Sequence, residues 1–181
     1  GVPNHHIPPA WFTVPKGGIM ILAGRHAFGG LEDAAIPKDI LDAKARGAKL
    51  VVIDPIFTPE AAKADLWIPI KPSGDTAFFA GMMNHIIAKD LHDKEFINKW
   101  VREGDFEKLK DWINDKTPKK MSPICEIPVE TIKSFAEECA KAPSVGVDSF
   151  KGVMLGNALD FSHAWCMFLA ITGNIDNPGG Q

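Results

Sequence analysis

Apolar residues along the chain fall into two kinds of pattern. Gly18-Ile-Met-Ile-Leu-Ala-Gly24 and Lys49-Leu-Val-Val-Ile-Asp54 are short continuous runs, too short for helices and without polar alternation, which is how strands covered on both faces read. Leu66-Trp-Ile-Pro-Ile70 is a third run, which Pro69 assigns to a sheet edge or a strand end. Ser144-Val-Gly-Val147 is a fourth. Elsewhere the apolar positions recur with helical spacing. Pro37 to Arg46 carries Ile40, Leu41 and Ala45 and stops before Gly47, where a helix C-cap belongs. Thr58-Pro59-Glu60 offers an N-cap, a proline and an acidic first turn for a short helix reaching about Asp65. Behind Asp75, read as an N-cap, the pairs Phe78/Phe79, Met82/Met83 and Ile86/Ile87 mark one helical face. Asp93 to Val101, Asp105 to Asn114, Pro128 to Ala142 and Ala158 to Ile171 read as further helices, the last closed by Thr172-Gly173-Asn174.

Strands alternating with helices predict an α/β fold: a doubly wound, Rossmann-like, mainly parallel sheet of about four to five strands with helices on both faces. The first βαβ unit should cross over right-handed. Pro3, Pro8, Pro9 and Pro15 bar residues 1–17 from a sustained helix or a central strand, so they read as an extended lead-in to a domain over 18–181.

Composition narrows the function classes. The 181 residues suffice for one domain with a real core, and a net charge of −3 offers no broad cationic field for nucleic acid or anionic lipid. No apolar run approaches the roughly 20 residues of a spanning helix, so no membrane insertion is expected. A soluble protein follows, cytoplasmic or periplasmic. Cys125, Cys139 and Cys166 form no C-x-x-C pair and read as buried thiols. His5 and His6 read as exposed lead-in residues, and His85 and His163 as core or boundary histidines. Phe106, Leu109, Trp112 and Ile113 form a packing stripe, and Lys116 to Lys120 a solvated loop. No metal site can be assembled.

In an open parallel sheet, ligands bind beyond the carboxyl ends of the strands near the point where the winding reverses. Three such ends carry chemistry. Gly24-Arg25-His26, followed by Gly29-Gly30, is a loop whose amides could approach an anion, though it is neither G-x-G-x-x-G nor a P-loop. Asp54-Pro55 closes the second strand, where a carboxylate either accepts from two ribose hydroxyls or only caps the turn to Thr58. Pro72-Ser73-Gly74-Asp75 opens a helix, and its aspartate could both cap and take two donors from a guanine edge.

The sequence from Ala48 to Pro55, with Thr58, Ala64-Asp65, Ile70-Lys71-Pro72, Gly74-Asp75, Ala77, Thr172-Gly173-Asn174-Ile175 and Pro178-Gly179-Gly180, resembles the dinucleotide-binding domain of the molybdopterin oxidoreductases. That family includes dimethyl sulfoxide reductase, formate dehydrogenase and polysulfide reductase. The resemblance implies that Gly24, Arg25 and His26 pass the pyrophosphate and pterin, that Asp54, with Pro55 and Thr58, meets the guanosine ribose, and that Asp75, with Ser73 and Gly74, reads the guanine. It assigns the loop from Ser149 to Asn157, with Gly152, to the pterin. Two positions depart from the family pattern: Ile56 stands where arginine usually follows Asp-Pro, and Pro-Gly-Thr-Asp is here Pro-Ser-Gly-Asp.

The implied cofactor is molybdopterin guanine dinucleotide, with molybdenum or tungsten ligated outside this chain. An iron–sulfur cluster would accompany it only where the family's N-terminal cysteine region is present. The implied partners are the remaining domains of a catalytic subunit and an iron–sulfur electron-transfer subunit, and the chain alone is not expected to turn over substrate. Two rivals use the same residues: an NAD-type dehydrogenase domain, against which the missing G-x-G-x-x-G counts, and a noncatalytic interaction domain that kept the fold.

Overall fold

A computed structural model describes residues 11–29, 35–154, 156 and 158–180. His5, His6, Gly30, most of the lead-in and part of the 149–157 loop lie outside the described residues. The strands are β1 (Ile19–Ala23), β2 (Lys49–Ile53), β3 (Leu66–Ile68) and β4 (Val145–Ser149), and the helices are α1 (Ala35–Ala45), α2 (Asp75–Ala88), α3 (Lys94–Trp100), α4 (Asp105–Ile113), α5 (Pro118–Cys125), α6 (Val129–Lys141), α7 (Lys151–Met154) and α8 (Ala158–Ile171). The strands form one four-stranded parallel sheet in the order β3-β2-β1-β4.

Why β1 and β2 are continuously apolar follows from where alternate residues point. Ile19, Ile21, Ala23, Val51 and Ile53 enter one core, shared with α2, α5, α6 and α8. Met20, Leu22, Leu50 and Val52 enter a second core on the other face, under α1 and the helical turn Trp11–Thr13. A polar residue at any of these positions would be buried without water. The lead-in is thus not extended throughout, because Trp11 and Val14 are drawn into the second core.

Winding starts at β1, runs through β2 to β3 at one edge, and then returns to add β4 on the other side of β1. The reversal lies between β1 and β4, and it is this crossing that sets where a crevice opens. The final turn locks it. Buried Asn174 accepts from the Val145 amide at 2.7 Å and donates to the Thr172 carbonyl at 3.0 Å, while the Gly179 amide donates to Thr13 Oγ1 at 2.9 Å. Thr172-Gly173-Asn174 and Pro178-Gly179-Gly180 therefore tie the end of α8 to the start of β4 and to the lead-in.

Several expectations are corrected. Lys119 and Lys120 stand in α5, not in a loop: Thr117 caps it, Pro118 fills its first position, and buried Cys125 closes it against the core beside α2. β3 ends at Ile68, before Pro69, and β4 runs on to Ser149. Cys125 and Cys139 are buried, but Cys166 on α8 is exposed, as is His163. His85 is buried and its Nε2 lies 2.9 Å from Glu137 Oε1. Of the α4 stripe, Ile113 is buried and Phe106 and Leu109 pack on the core, whereas Trp112 is largely exposed beneath the Lys116 ammonium. No helix among the described residues is long and apolar enough to cross a membrane.

Candidate functional site

Beyond the carboxyl ends of the strands lies a cleft of about 890 Å³, walled by the loops that follow β1, β2, β3 and β4. The β1 loop is anchored by backbone. Gly24 adopts φ +56°, donates its amide to the Ile53 carbonyl at 2.9 Å and accepts from the Gly152 amide at 3.0 Å. A Cβ on Gly152 would sit 2.6 Å from Gly24 Cα, so two glycines let the loops after β1 and β4 meet with no side chain between them.

Arg25 follows directly and is buried, its Nε 3.4 Å from Asp148 Oδ2 and its guanidinium 4.7 Å above the Phe150 ring. The next residue, His26, turns the other way. Its Nδ1 lies 3.0 and 3.1 Å from the two oxygens of Glu60, a completely buried carboxylate in the connection after β2. The Phe28 amide also donates to Glu60. Burial pushes the Glu60 carboxyl up, but the hydrogen bonds from the Phe28 and Glu60 amides and from the Thr58 and His26 side chains outweigh it, leaving it below the usual glutamate value.

The β2 loop is a braced turn. Asp54 Oδ1 accepts from the Ile56 amide at 2.8 Å, an Asx turn, and the Asp54 carbonyl accepts from Trp67 Nε1 at 2.9 Å. Phe57 meets the Trp67 ring edge to face at 5.0 Å, so the indole on β3 holds both ends of the turn. Thr58 Oγ1 accepts from the Ala61 amide at 3.2 Å, ahead of a single 3-10 turn (Ala61–Lys63) whose N-cap position is Glu60, where the sequence predicts a longer helix capped by Thr58. Thr58, not Asp54, braces this turn, since the Asp54 carboxylate accepts from Ile56.

After β3, Ser73 takes φ +67°, the left-handed conformation glycine prefers, at the position where the family motif has glycine. Gly74, not Asp75, is the N-cap of α2, and it packs so tightly that a Cβ would lie 2.8 Å from Cys125 Cα. Asp75 is then the first residue of α2, buried at the floor of the cleft. Burial pushes its carboxyl up to about 6; its own backbone amide opposes this, and the charge of Asp54 adds to it. The Asp54 charge is thus felt at Asp75 within one cleft.

Gly24, Arg25, His26, Asp54, Pro55, Thr58, Ser73, Asp75 and Gly152 all line this cleft, whereas Gly74 stands behind it against α5. Sequence reasoning missed Phe57, which lines the cleft, and Glu60, which is buried in the connection after β2; Phe150, Lys151 and Val153 of the lining belong to the 149–157 loop that the resemblance assigns to the pterin, and Ile56 stands where the family has arginine. Proximity to a strand end could have flagged Phe57. Nothing in the sequence marks Glu60, because only the approach of the β1 loop buries it. Among the described residues no three His, Cys, Asp or Glu side chains converge as a metal set.

Comparison with known proteins gives a consistent picture. The chain is 37% identical over 145 residues to the F420-dependent formate dehydrogenase subunit alpha of Methanocaldococcus jannaschii, covering 80% of this chain and 21% of that protein. It is 34% identical over 145 residues to acetylene hydratase of Syntrophotalea acetylenica, covering 77% of this chain and 19% of that protein. Among solved structures, acetylene hydratase from Pelobacter acetylenicus superposes with a TM-score of 0.83 at 28% identity, over 94% of this chain and 23% of that one. The chain spans about a fifth of the length of the curated relatives it matches. No family model matches it.

Proposed function

Because this chain belongs to the molybdopterin oxidoreductase family, we propose that its cleft holds the guanosine diphosphate half of a molybdopterin guanine dinucleotide within a molybdenum or tungsten catalytic subunit. The observation that carries the reading is that Asp54 and Asp75 line one cleft, with the charge of Asp54 felt at the buried Asp75. A nucleotide relieves that arrangement. Guanine presents two adjacent N–H donors to Asp75, and a ribose presents two hydroxyls to Asp54, whose Oδ1 is already engaged in its turn.

The cleft residues fit such a group. Gly24 and Gly152 touch backbone to backbone and so keep side chains out of the junction between the β1 and β4 loops, and Arg25, His26 and Lys151 line the same cleft. A diphosphate in the cleft would meet the positive charge of Arg25 and Lys151. Exposed Ile56 and Phe57 form an apolar lip in place of the family's arginine, so the cationic contact comes from the β1 and β4 loops.

When bound, the cofactor supplies redox chemistry through its metal and dithiolene. This chain's residues bind and orient: Asp75 selects the base, Asp54 fixes the sugar, and the glycine contact sets how closely the diphosphate approaches the sheet. The remaining domains of a catalytic subunit would supply the pterin's other contacts and the metal ligand, and an iron–sulfur subunit would exchange electrons with it.

Amide hydrogen exchange with and without GDP tests the reading. Added GDP should slow exchange in 24–26, 54–58, 73–75 and 152–153 together. Protection confined to another surface, or none at saturating GDP, would overturn it.

A further inference from the structure

The cleft changes character across the sheet. Arg25 and Lys151 enter it from the loops after β1 and β4, whereas Ile70, Ser73 and the buried Asp75 enter it from the segment after β3. Because the strand order is β3-β2-β1-β4, the cations and the Asp75 carboxylate stand toward opposite sides of one cleft, with Asp54 at the end of β2 between them.

Phe57 belongs to the Asp75 side. Its ring meets Trp67 of β3 edge to face at 5.0 Å, and Trp67 Nε1 donates to the Asp54 carbonyl at 2.9 Å, so this lip leans toward β3 and away from the cations. Phe57 and Ile56 both line the cleft, yet Phe57 is 59% exposed and Ile56 68%. Large apolar side chains that wall a ligand cleft lose contact with water when the ligand arrives, and that burial adds to affinity. The neighbours define what can cover them. The cover needs a flat face to rest on a phenyl ring, donors at its edge for Asp75 and hydroxyls within reach of Asp54, because a carboxylate only accepts. A purine nucleoside has all three. Ile56 stands where the family has arginine, so this wall is apolar at a position where the family motif carries a charge.

We propose that Phe57, with Ile56 beside it, is the wall on which the face of the guanine lies while Asp75 holds its edge. This rests on the reading of the cleft as a guanosine diphosphate site, and it gives the nucleotide a direction: base toward β3, ribose at the end of β2, diphosphate toward the β1 and β4 loops. Trp67 holds the phenyl ring in place before the ligand arrives, so little side-chain freedom is lost on binding. Stacking is indifferent to which base lies on the ring. Phe57 therefore contributes affinity, and the choice of base is left to Asp75.

The experiment is calorimetric titration of GDP into the chain, Phe57→Ala and Phe57→Trp, joined to proton NMR of GDP bound to the unaltered chain. Phe57→Ala should bind GDP roughly tenfold more weakly, the ordinary size of one base stacked on an aromatic ring, and Phe57→Trp should stay within about threefold of the unaltered chain. The NMR measurement separates stacking from bracing of the turn through Trp67. In the complex the guanine H8 proton should shift upfield and show nuclear Overhauser contacts to the Phe57 ring protons. Equal GDP affinity in the unaltered chain and Phe57→Ala, or a bound guanine with no contact to the Phe57 ring, would overturn the proposal and leave the nucleotide site standing. Failure of the unaltered chain to bind GDP would overturn both. The contact measurement needs no variant, so it carries the test even if Phe57→Ala fails to fold.

Discussion

Gly152 donates its amide to the Gly24 carbonyl at 3.0 Å, and each of these glycines occupies the space where the other's Cβ would lie. The contact spans the gap between β1 and β4, the two strands between which the winding reverses. Gly152→Ala should therefore cost about 1–3 kcal/mol, the usual penalty for overpacking a rigid contact, because the obstructing atoms are backbone. Gly24→Ala should cost about 1–2 kcal/mol more, since Gly24 has φ +56°. Denaturant unfolding of the two variants measures both. Equal, near-zero losses would mean that the loops part freely and that the close approach is not structural.

Asp54 has one oxygen committed to the Ile56 amide. Asparagine can keep that bond through its own carbonyl, so Asp54→Asn should leave the melting temperature nearly unchanged. It should weaken GDP binding by about 1.5–3 kcal/mol, the value of a hydrogen bond to a charged group. A loss of stability with unchanged affinity would make Asp54 a turn residue only.

Asp75 gives a pH signature. Its carboxyl is pushed up to about 6 from the usual 3.8, so the folded chain holds this proton more tightly than the unfolded chain does. Stability from this group is greatest below the unfolded value and falls as pH rises through the window from 3.8 to about 6. Asp75→Asn removes the buried charge, and should be more stable than the unaltered chain by up to about 3 kcal/mol at pH 7.5, with the gap closing below pH 4. Thermal melts of both proteins across that range test it. A gap that does not change with pH would place the effect outside ionisation.

The architecture was largely legible because burial on both faces leaves a plain mark. β1 and β2 have no polar residue facing either core, and α2, α6 and α8 repeat their apolar positions at helical spacing. α5 was not legible. Its Lys119 and Lys120 read as part of a loop, although Thr117-Pro118, a cap followed by a first-turn proline, signals a helix. The same limit governs the site. Strand ends mark Gly24 and Asp54 in advance and the helix start marks Asp75, because topology alone brings these places together, whereas Gly152 enters only through the family resemblance. Glu60 depends on how a loop 32 residues away folds down on it, as its bond with the Phe28 amide records, and no local pattern carries that. Ser73 is a case between the two: the displaced glycine is visible in the sequence, but that a serine accepts φ +67° there appears only in the fold.

Whether this cleft reads a guanine nucleotide through Asp75 and Asp54 is decided by calorimetric titration of the chain with GDP, ADP and NAD in parallel. Guanine offers Asp75 two donors where adenine offers an acceptor at N1, so GDP should bind tightest, by roughly tenfold or more over ADP and NAD, a margin of about 1.4 kcal/mol. Equal or tighter binding of NAD would contradict the account.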